Sequence, residues 1–510
     1  MVFAALLLSL FTACTDYVQQ MEDNHTVWQV EQVLVAQAVS SSAIPLSSEE
    51  PINSVVKSSS SVASSSSEEV INNHGRSSSF VEWNQSASPS SSSIYNVQIS
   101  SSSSAPNNPA IMGLAASANP DYATNDYSLW KSFHFVTLED ESVYYNTLAA
   151  DFGDVFTAQY LPAGRVVWTA QNVGYYKSTC GNEESSETAM RYRACTVSEG
   201  TGYGILLAYF NGDSETFNRI WNYSRAYREY SGQNLTPWIN YSFHFKPVDY
   251  SSATDADLDI ATALILMYLK TNSAPYLEDA LKIVNAIWDN EINKNSLLIY
   301  SGDDDSWQGS EPIYNPSYFS PVALRLFALV DPNHNWTGVL DAMYSYMAKL
   351  QANGTGVFPD WSDEAGVAAK PNNGSAEKTY WTFHSESARI PWRIAWDYYW
   401  FQDERALAIL QKLNAFIVTK SAGDPSSYAL SVSYSWDPSK NDFTGTTTAV
   451  PSYKIGMWCA TGLGTNPDWL NACTALVNAA VPTNNNASYY ADILLTMYSA
   501  LLNGLFVKPF

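Results

Sequence analysis

Apolar residues recur every three or four positions in many segments after residue 200, a spacing typical of helices. The clearest segments are TGYGILLAYF (201–210), DLDIATALILMYLKT (257–271), YLEDALKIVNAIWDNEI (276–292), PVALRLFALV (321–330), GVLDAMYSYMAKLQ (338–351), ARIPWRIAWDYYW (388–400), ERALAILQKLNAFIV (404–418) and YYADILLTMYSALLNGLF (489–506). Strand-like alternation is sparse, and long connections rich in aromatic, Gly, Asn and Asp residues separate the helical segments. Many helices joined by long loops predict an all-α domain built as a barrel of helix pairs.

The part of the chain before residue 118 has a different composition. Runs such as SSSSVASSSSEE and SSSIYNVQISSSSSAPNNP carry almost no apolar periodicity, so residues 15–117 are predicted to be a flexible Ser-rich linker. Residues 118–510 are predicted to form one large globular domain.

The N-terminal segment MVFAALLLSLFTACTD resembles a signal peptide, because its apolar run is too short to span a bilayer. The small residues before Cys14 favour a bacterial lipoprotein cleavage site, which makes 1–14 the predicted signal region and Cys14 the lipidated residue. A plain secretory signal is the alternative. Under the favoured interpretation the protein is exported and lies on the outer membrane or cell surface, touching the membrane only through its lipid anchor.

The other cysteines agree with export. Cys180 and Cys195 are 15 residues apart, and Cys459 and Cys473 are 14 apart, so an oxidising compartment allows each local pair to form a disulfide. The chain has no C-x-x-C spacing, which argues against a structural zinc site.

Charge and aromatic content narrow the possible partners. The net charge of −24 disfavours nucleic acid and anionic membrane surfaces as partners. Aromatic residues make up 14% of the chain, with 17 Trp and 33 Tyr, and such rings either fill a large core or line a surface that stacks on sugar faces. Composition alone leaves these two interpretations equal. We expect a monomer.

Three acidic clusters are candidates for chemistry. Glu199 lies in SEGTGYG, where the glycines are expected to let a large ligand approach the carboxylate. Asp255 and Asp259 in ATDADLDIATAL share one helix face, and Glu386 precedes Arg389 by one helical turn.

Several other chemistries are excluded by their sequence patterns. The DADLD segment lacks the Gly and the final Glu of a calcium loop, GTGYG is not a phosphate-binding loop, and no G-x-S-x-G nucleophile elbow occurs. His384 beside Ser385 is a weak signal for a serine hydrolase. We therefore expect neither a metal nor a cofactor, and carboxylate chemistry of the kind that cleaves glycosidic bonds remains as a hypothesis. A Glu in an apolar, aromatic cleft would have the raised pKa that a general acid needs.

Four segments in order resemble glycoside hydrolase family 8: SEGTGYGILLAYFNGD (198–213), ATDADLDIA (253–261), YNPSYFSP (314–321) and ARIPWRIAWDYYW (388–400). The resemblance covers about 125–510. It implies an (α/α)6 barrel whose long loops form an open cleft, and inverting hydrolysis of β-1,4 polysaccharides without a cofactor.

The resemblance also implies roles for single residues. Glu199 matches the general acid, and Asp255 matches a carboxylate that contacts the sugar at the cleavage point. Tyr318 and Arg389 match residues beside the catalytic base, and Trp238 matches an aromatic residue that stacks on a sugar, with core packing as its alternative. Tyr203, which follows the acid on the same helix, is a further candidate for substrate binding.

The base is the point at which this sequence departs from the family. Many members have Asp three residues before the Arg, where this chain has Glu386, and another branch uses a Glu from an earlier loop, for which Glu377 is the candidate. We favour Glu386 as the base, with Glu377 as its rival. The segment 174–195 resembles an insertion that either shapes the cleft or stiffens the chain before Glu199.

The sugar is less well determined than the chemistry. We expect an endo-β-1,4-glycanase acting on cellulose or β-glucan, followed by xylan and then chitosan as alternatives. The Glu at position 386 also leaves open a non-catalytic glycan-binding relative. A periplasmic cellulase associated with polymer synthesis is a further alternative. The Ser-rich linker favours degradation of a polymer at the outer surface over this alternative.

Overall fold

The computed structural model describes residues 113–145, 158–168, 180, 194–240, 243, 247–371, 376–446, 453–483 and 489–510. In chain order the helices are α1 (Pro120–His134), α2 (Leu138–Tyr145), α3 (Ser198–Phe210), α4 (Ser214–Ser231), α5 (Thr254–Thr271), α6 (Ala274–Glu291), α7 (Asp305–Gln308), α8 (Pro321–Val330), α9 (Trp336–Asn353), α10 (Ile390–Phe401), α11 (Glu404–Lys420), α12 (Tyr453–Ala460), α13 (Pro467–Val477) and α14 (Tyr489–Leu502). The strands are β1 (Phe135–Thr137), β2 (Gly164–Val166), β3 (Thr196–Val197), β4 (Pro237–Asn240), β5 (Asp249–Ser252), β6 (Ile313–Tyr314), β7 (Ser362–Asp363), β8 (Thr382–Phe383), β9 (Ser433–Asp437) and β10 (Asp442–Thr446).

Six of these helices form a closed inner ring. Helices α3, α5, α8, α10, α12 and α14 each contact the next one, and α14 contacts α3 to complete the ring. Each inner helix also packs against an outer helix: α4 on α3, α6 on α5, α9 on α8, α11 on α10, α13 on α12 and α1 on α14. This arrangement is an (α/α)6 barrel, and it confirms the predicted all-α fold class.

The two rings differ in their burial because their helices have different neighbours. Every residue of α3 is buried, and α5 is buried from Thr254 to Tyr268, so these helices are covered on all sides. The outer helices bury one face only. In α6, for example, Leu277, Ile283 and Ile287 are buried, while the opposite face is polar.

The glycines after Glu199 serve helix packing. A Cβ atom at Gly202 would lie 3.0 Å from Cβ of Asp259 on α5, and one at Gly200 would lie 2.8 Å from the hydroxyl oxygen of Tyr489 on α14. Neither glycine lines the cleft described below. The expectation that the glycines admit a ligand therefore does not hold, because neighbouring protein fills the space.

A small antiparallel sheet sets the start of two inner helices. Strand β4 lies between β3 and β5, with Val197 paired to Ile239 and Pro237 paired to Ser252. Strand β3 runs directly into α3, and β5 ends two residues before α5. The remaining described strands form the pairs β1–β2 and β6–β7 and the sheet β10–β9–β8.

Two disulfides lie within the described residues. Cys180 is bonded to Cys195, directly before β3, and Cys459 on α12 is bonded to Cys473 on α13. Apart from Cys180, Ala194 and Cys195, the predicted insertion 174–195 lies outside the described residues.

The predicted signal region with Cys14, and nearly all of the predicted linker, lie outside the described residues. The last part of that linker, residues 113–117, is described and packs on the barrel. Ala115 is buried, and the N–H of Ala116 donates to Oδ1 of Asn471 at 2.6 Å. In the ranges that the structure describes, no helix combines the length and apolar character that a bilayer crossing requires.

A buried ion pair joins two inner helices. The guanidinium of Arg393 on α10 donates to both carboxylate oxygens of Asp259 on α5, at 2.7 and 2.9 Å. Both side chains are shielded from solvent, so the loss of one partner would leave an uncompensated charge inside the barrel.

We predict that Arg393→Met lowers the free energy of unfolding by about 3–5 kcal/mol, because it leaves the Asp259 carboxylate buried without its partner. Urea unfolding followed by circular dichroism measures the change. The control is Arg219→Met, since Arg219 pairs with the exposed Glu139 and Glu215, and its cost should stay within about 1 kcal/mol. Equal costs for the two variants would contradict the prediction.

Candidate active site

The candidate site lies at the N-terminal ends of the inner helices. Glu199 is the second residue of α3, Asp255 is the second residue of α5, and Tyr489 is the first residue of α14. Glu386 and Arg389 precede α10 in a short 3₁₀ turn. Because helix N-termini carry a partial positive charge, several of these dipoles favour negative charge in the same small volume.

One buried arginine contacts three carboxylates. Nη1 of Arg389 lies 2.5 Å from Oε2 of Glu199 and 3.4 Å from Oδ2 of Asp255, while Nη2 donates to Oε2 of Glu386. The exposed fraction is 2% for Arg389, 8% for Glu199, 1% for Asp255 and 4% for Glu386. Glu199, Asp255 and Glu386 are therefore brought together around a single cation.

Glu199 has the electrostatics of a proton donor. Burial raises the pKa of its carboxyl group, Arg389 opposes that rise, and the negative charge of Glu386 adds to it. The hydroxyl of Tyr489 lies 3.0 Å from Oε1 of Glu199 and fixes the orientation of the carboxyl group. A raised pKa is what general acid catalysis requires of a glutamic acid.

Asp255 is more deeply buried than Glu199. Burial raises its pKa to about 8, against the lowering effect of Arg389 and with a further rise from Glu199. Its Oδ1 atom has no hydrogen-bond partner within the part of the chain that the structure describes. Asp255 is also one of the residues that line the cleft.

Glu386 is held through one of its two oxygens. Oε2 accepts from Arg389 and also from Nδ2 of Asn315, at 2.6 Å. Both donors are buried, so the carboxylate is fixed from the side of the barrel wall. This arrangement suits a carboxylate that accepts a proton from water on its other oxygen.

The loop that carries Glu386 is anchored by Asp360. Oδ1 of Asp360 accepts from the backbone N–H groups of His384 and Ser387, at 3.0 and 2.8 Å, and from the Ser387 hydroxyl at 2.5 Å. Burial raises the pKa of Asp360 to about 7, although the hydrogen bonds from Ser387 act in the opposite direction. Asp360 therefore fixes the backbone on both sides of Glu386.

The cleft above the carboxylates is rich in indole rings. Trp307 and Trp361 stack on each other with ring centres 5.3 Å apart and planes 9° apart, and Trp238 is a further lining residue. The described residues that line this cleft are Val197, Ser198, Glu199, Trp238, Ser251, Ser252, Ala253, Asp255, Ser301, Trp307, Tyr318, Trp361, Glu386 and Arg389. Flat apolar rings beside hydroxyl groups suit a ligand with apolar faces and polar edges, as sugars have.

The other residues predicted from the sequence lie at different depths. Tyr318 lines the cleft, with its ring centre 5.2 Å from Cζ of Arg389. Tyr203 is fully buried and packs edge-to-face on Trp392, so it does not reach the cleft and its predicted role in substrate contact does not hold. Helix α3 turns this side chain into the barrel core.

Glu377 lies on an exposed segment. Its carboxylate accepts from the hydroxyl of Thr379 at 2.9 Å, and it is not among the residues that line the cleft. The structure therefore places Glu386 beside Arg389 and Glu199, and places Glu377 outside this group. The described residues also include no cluster of three or more His, Cys, Asp and Glu side chains suited to a metal ion.

Sequence reasoning missed four residues of this site: Trp307, Trp361, Asn315 and Asp360. Asn315 was within the YNPSYFSP segment, but only Tyr318 was singled out there. Trp307 follows an Asp-rich turn, and Trp361, on which it stacks, is 54 residues away in the chain. No local sequence pattern therefore predicts this stacking.

Comparisons with known proteins agree with this geometry. A family model described as "Glycosyl hydrolases family 8" matches residues 181–498. Endoglucanase A from Acetivibrio thermocellus is 31% identical over 235 residues, which cover 44% of this chain and 47% of that protein. A Beta-glucanase from Niallia circulans is 27% identical over 328 residues, which cover 61% of this chain and 76% of that protein.

Solved structures show the same fold. The apo structure of a Beta-1,3-1,4-glucanase from Paenibacillus sp. X4 matches with a TM-score of 0.58 at 21% identity, covering 77% of this chain and 97% of that chain. In sequence, the chain spans about half the length of Endoglucanase A, the first of the relatives above.

We predict that the free energy of unfolding of Asp255→Asn, minus that of the parent, becomes more positive as the pH rises from about 4 to about 8. In the folded parent Asp255 keeps its proton up to about pH 8, whereas the unfolded chain releases it near the ordinary value of 3.8. The folded state therefore binds more protons in this window, and parental stability falls with rising pH by up to about 1.4 kcal/mol per pH unit.

Denaturant unfolding at several pH values measures this difference. Asp213→Asn is the control: burial raises the pKa of Asp213, but hydrogen bonds from Lys131 and Thr216 outweigh burial and lower it to about 2. Asp213 is thus ionised in both states between pH 5 and pH 8, and the difference between that variant and the parent should not change with pH. A flat difference for Asp255→Asn would show that this carboxyl group ionises normally.

Proposed function

Because the chain belongs to glycosyl hydrolases family 8, we propose that it is an endo-acting glycoside hydrolase that cleaves β-1,4 linkages with inversion of configuration. Cellulose or another β-glucan is the favoured substrate. The observation that carries the proposal is the pairing of Glu199, whose pKa is raised, with the carboxylate of Glu386 at one arginine in an indole-lined cleft.

The two carboxyl groups take the two roles that inversion requires. Glu199 gives its proton to the glycosidic oxygen as the bond to the anomeric carbon breaks, and a water attacks that carbon from the opposite face. Glu386 accepts the proton that the water releases. Asp255, which lines the cleft, is placed to hold a hydroxyl group of the sugar at the cleavage point.

The cleft lining supports a polymeric glycan as the ligand. Trp238, Trp307 and Trp361 offer flat apolar faces, and the serine hydroxyls between them are hydrogen-bonding groups for sugar edges. The names of the relatives point to β-glucans, since they include an endoglucanase and a β-glucanase. No metal or cofactor takes part in the proposed reaction.

We also propose that the mature protein is a monomeric lipoprotein of the outer membrane or cell surface. The support is the Cys14 motif, the Ser-rich region that follows it, and two disulfides in the folded domain, which need an oxidising compartment to persist. A surface anchor would hold the enzyme at the cell while it cuts an external polymer.

We predict that Glu199→Gln and Glu386→Gln each lower kcat by about 10²- to 10⁴-fold, because each removes a proton-transfer group. Glu377→Gln is the matched control and should keep parental activity, since Glu377 lies on the exposed segment. Reducing-sugar release by residues 113–510 on carboxymethyl cellulose measures all three, with the unfolding midpoint checked for each variant. Loss of activity in Glu377→Gln alone would assign the base to Glu377.

The same assay on barley β-glucan, xylan and chitosan identifies the sugar. Preference for β-glucan or carboxymethyl cellulose supports the proposal, whereas preference for xylan or chitosan replaces its substrate within the same chemistry. Glycan binding by a folded parent that releases no reducing sugar would overturn the proposed activity in favour of a binding protein.

We predict that Cys14→Ala moves the full-length protein from the membrane fraction to the soluble fraction of a bacterial expression host, because the site of lipid attachment is removed. Fractionation followed by immunoblotting measures this, and metabolic labelling with palmitate tests lipidation directly. Equal distribution and labelling of parent and variant would rule out lipidation at this cysteine.

A further inference from the structure

Four buried side chains form a closed hydrogen-bonded ring behind Glu386. Nδ2 of Asn315 donates to Oε2 of Glu386 at 2.6 Å, and the Ser317 hydroxyl donates to Oδ1 of Asn315 at 2.7 Å. Nε of Arg389 donates to the Ser317 hydroxyl oxygen at 3.1 Å, and Nη2 of Arg389 donates to the same Oε2 of Glu386. The ring therefore begins and ends on one carboxylate oxygen.

The orientation of the Asn315 amide is set within the ring. Oδ1 of Asn315 also accepts from the backbone N–H of Ser317 at 3.0 Å, which caps the short 3₁₀ turn at residues 316–318. Since Oδ1 takes both of these donors, the NH₂ group must point at Glu386. An amide nitrogen can only donate a hydrogen bond, so this contact requires an acceptor at Oε2.

We propose that Asn315 is a positioning residue that selects Oε1 of Glu386 as the atom that receives the proton from the attacking water. Oε2 already accepts from Asn315 and Arg389, so the proton arriving on Glu386 goes to Oε1, on the side away from the ring. Water contributes its oxygen to the new bond at the anomeric carbon, and the leaving glycosidic oxygen takes the proton of Glu199. This inference rests on the proposed function and adds a role for Asn315 to it.

The ring also accounts for the unusual length of the side chain at position 386. A glutamate has one more rotatable bond than an aspartate, and that freedom would spread the position of the carboxylate. Two fixed donors on one oxygen remove that freedom. Precise placement of the base then does not require the shorter residue that many family members have at this position.

The test is Asn315→Asp, which keeps the oxygen that caps the 3₁₀ turn and replaces the donor with an acceptor. At the upper end of the pH range in which the parent is active, where the new carboxyl group is ionised, we expect kcat to fall about 100-fold with KM within about twofold of the parent, because the new carboxylate repels Glu386 instead of holding it. Burial and the charge of Glu386 both raise the pKa of this new carboxyl group, so it regains its proton as the pH is lowered through the neutral range and can then donate again. The ratio of parental to variant kcat should therefore shrink at least severalfold.

Asn293→Asp is the matched control. Asn293 is buried, its Oδ1 caps the N–H groups of Asn295 and Ser296, and its Nδ2 donates to the hydroxyl of Tyr314 at 3.0 Å. It has the same kind of cap and donor but does not touch Glu386. The ratio of parental kcat to the kcat of Asn293→Asp should not depend on pH. A pH-dependent ratio in both variants would instead show a general effect of a buried Asn→Asp change.

The outcomes separate this inference from the proposed function. Parental hydrolysis that Glu386→Gln abolishes supports the function, whatever Asn315→Asp does. Parental kcat in Asn315→Asp, or a loss that is the same at every pH, would overturn the positioning role alone. If Asn315→Asp does not fold, Asn315→Ser decides instead, since a serine hydroxyl can cap the 3₁₀ turn but is too short to reach Glu386: we expect kcat to fall about 10-fold, and no change would overturn the role.

Discussion

The candidate site depends on a single buried guanidinium facing three carboxyl groups. Glu199, Asp255 and Glu386 all contact Arg389, and all four side chains are nearly removed from solvent. Buried carboxylates are stable only when a cation, a proton or several hydrogen bonds compensate their charge. One arginine cannot neutralise three of them, and burial, aided by the charge of a neighbouring carboxylate, raises the pKa values of Glu199 and Asp255. Burial of several carboxyl groups around one cation is thus what provides a proton donor.

The barrel makes this grouping possible. Inner helices such as α3 and α5 are buried on all sides, and pairing each inner helix with an outer helix in a closed ring provides this cover. The inner helices then start at the same end of the barrel, where their first turns and preceding loops meet. Residues that are far apart in the chain, such as Glu199 and Arg389, are brought into contact there because each stands at the beginning of a helix.

Fold class and three of the carboxyl groups at the site could be predicted from the chain because their signals are local. Helical spacing of apolar residues, and the motifs around Glu199, Asp255 and Arg389, each lie within about 15 residues. The expectations that the structure contradicts were inferences, from such local patterns, about what a side chain or a glycine faces. Tyr203 follows Glu199 by one helical turn, yet it points into the core, and Gly200 and Gly202 admit neighbouring helices rather than a ligand.

By itself, the sequence determined eight of the fourteen described helices, which residue types can exchange protons, and that the first hundred residues differ in composition from the rest of the chain, since all of these depend on neighbours in the chain. Only the tertiary structure decided that Glu377 lies outside the site, that Trp307 stacks on Trp361, and that Asn315 holds Glu386. These contacts join residues separated by up to 71 positions. Their geometry follows from how the helices close into a ring, which no single stretch of the chain encodes.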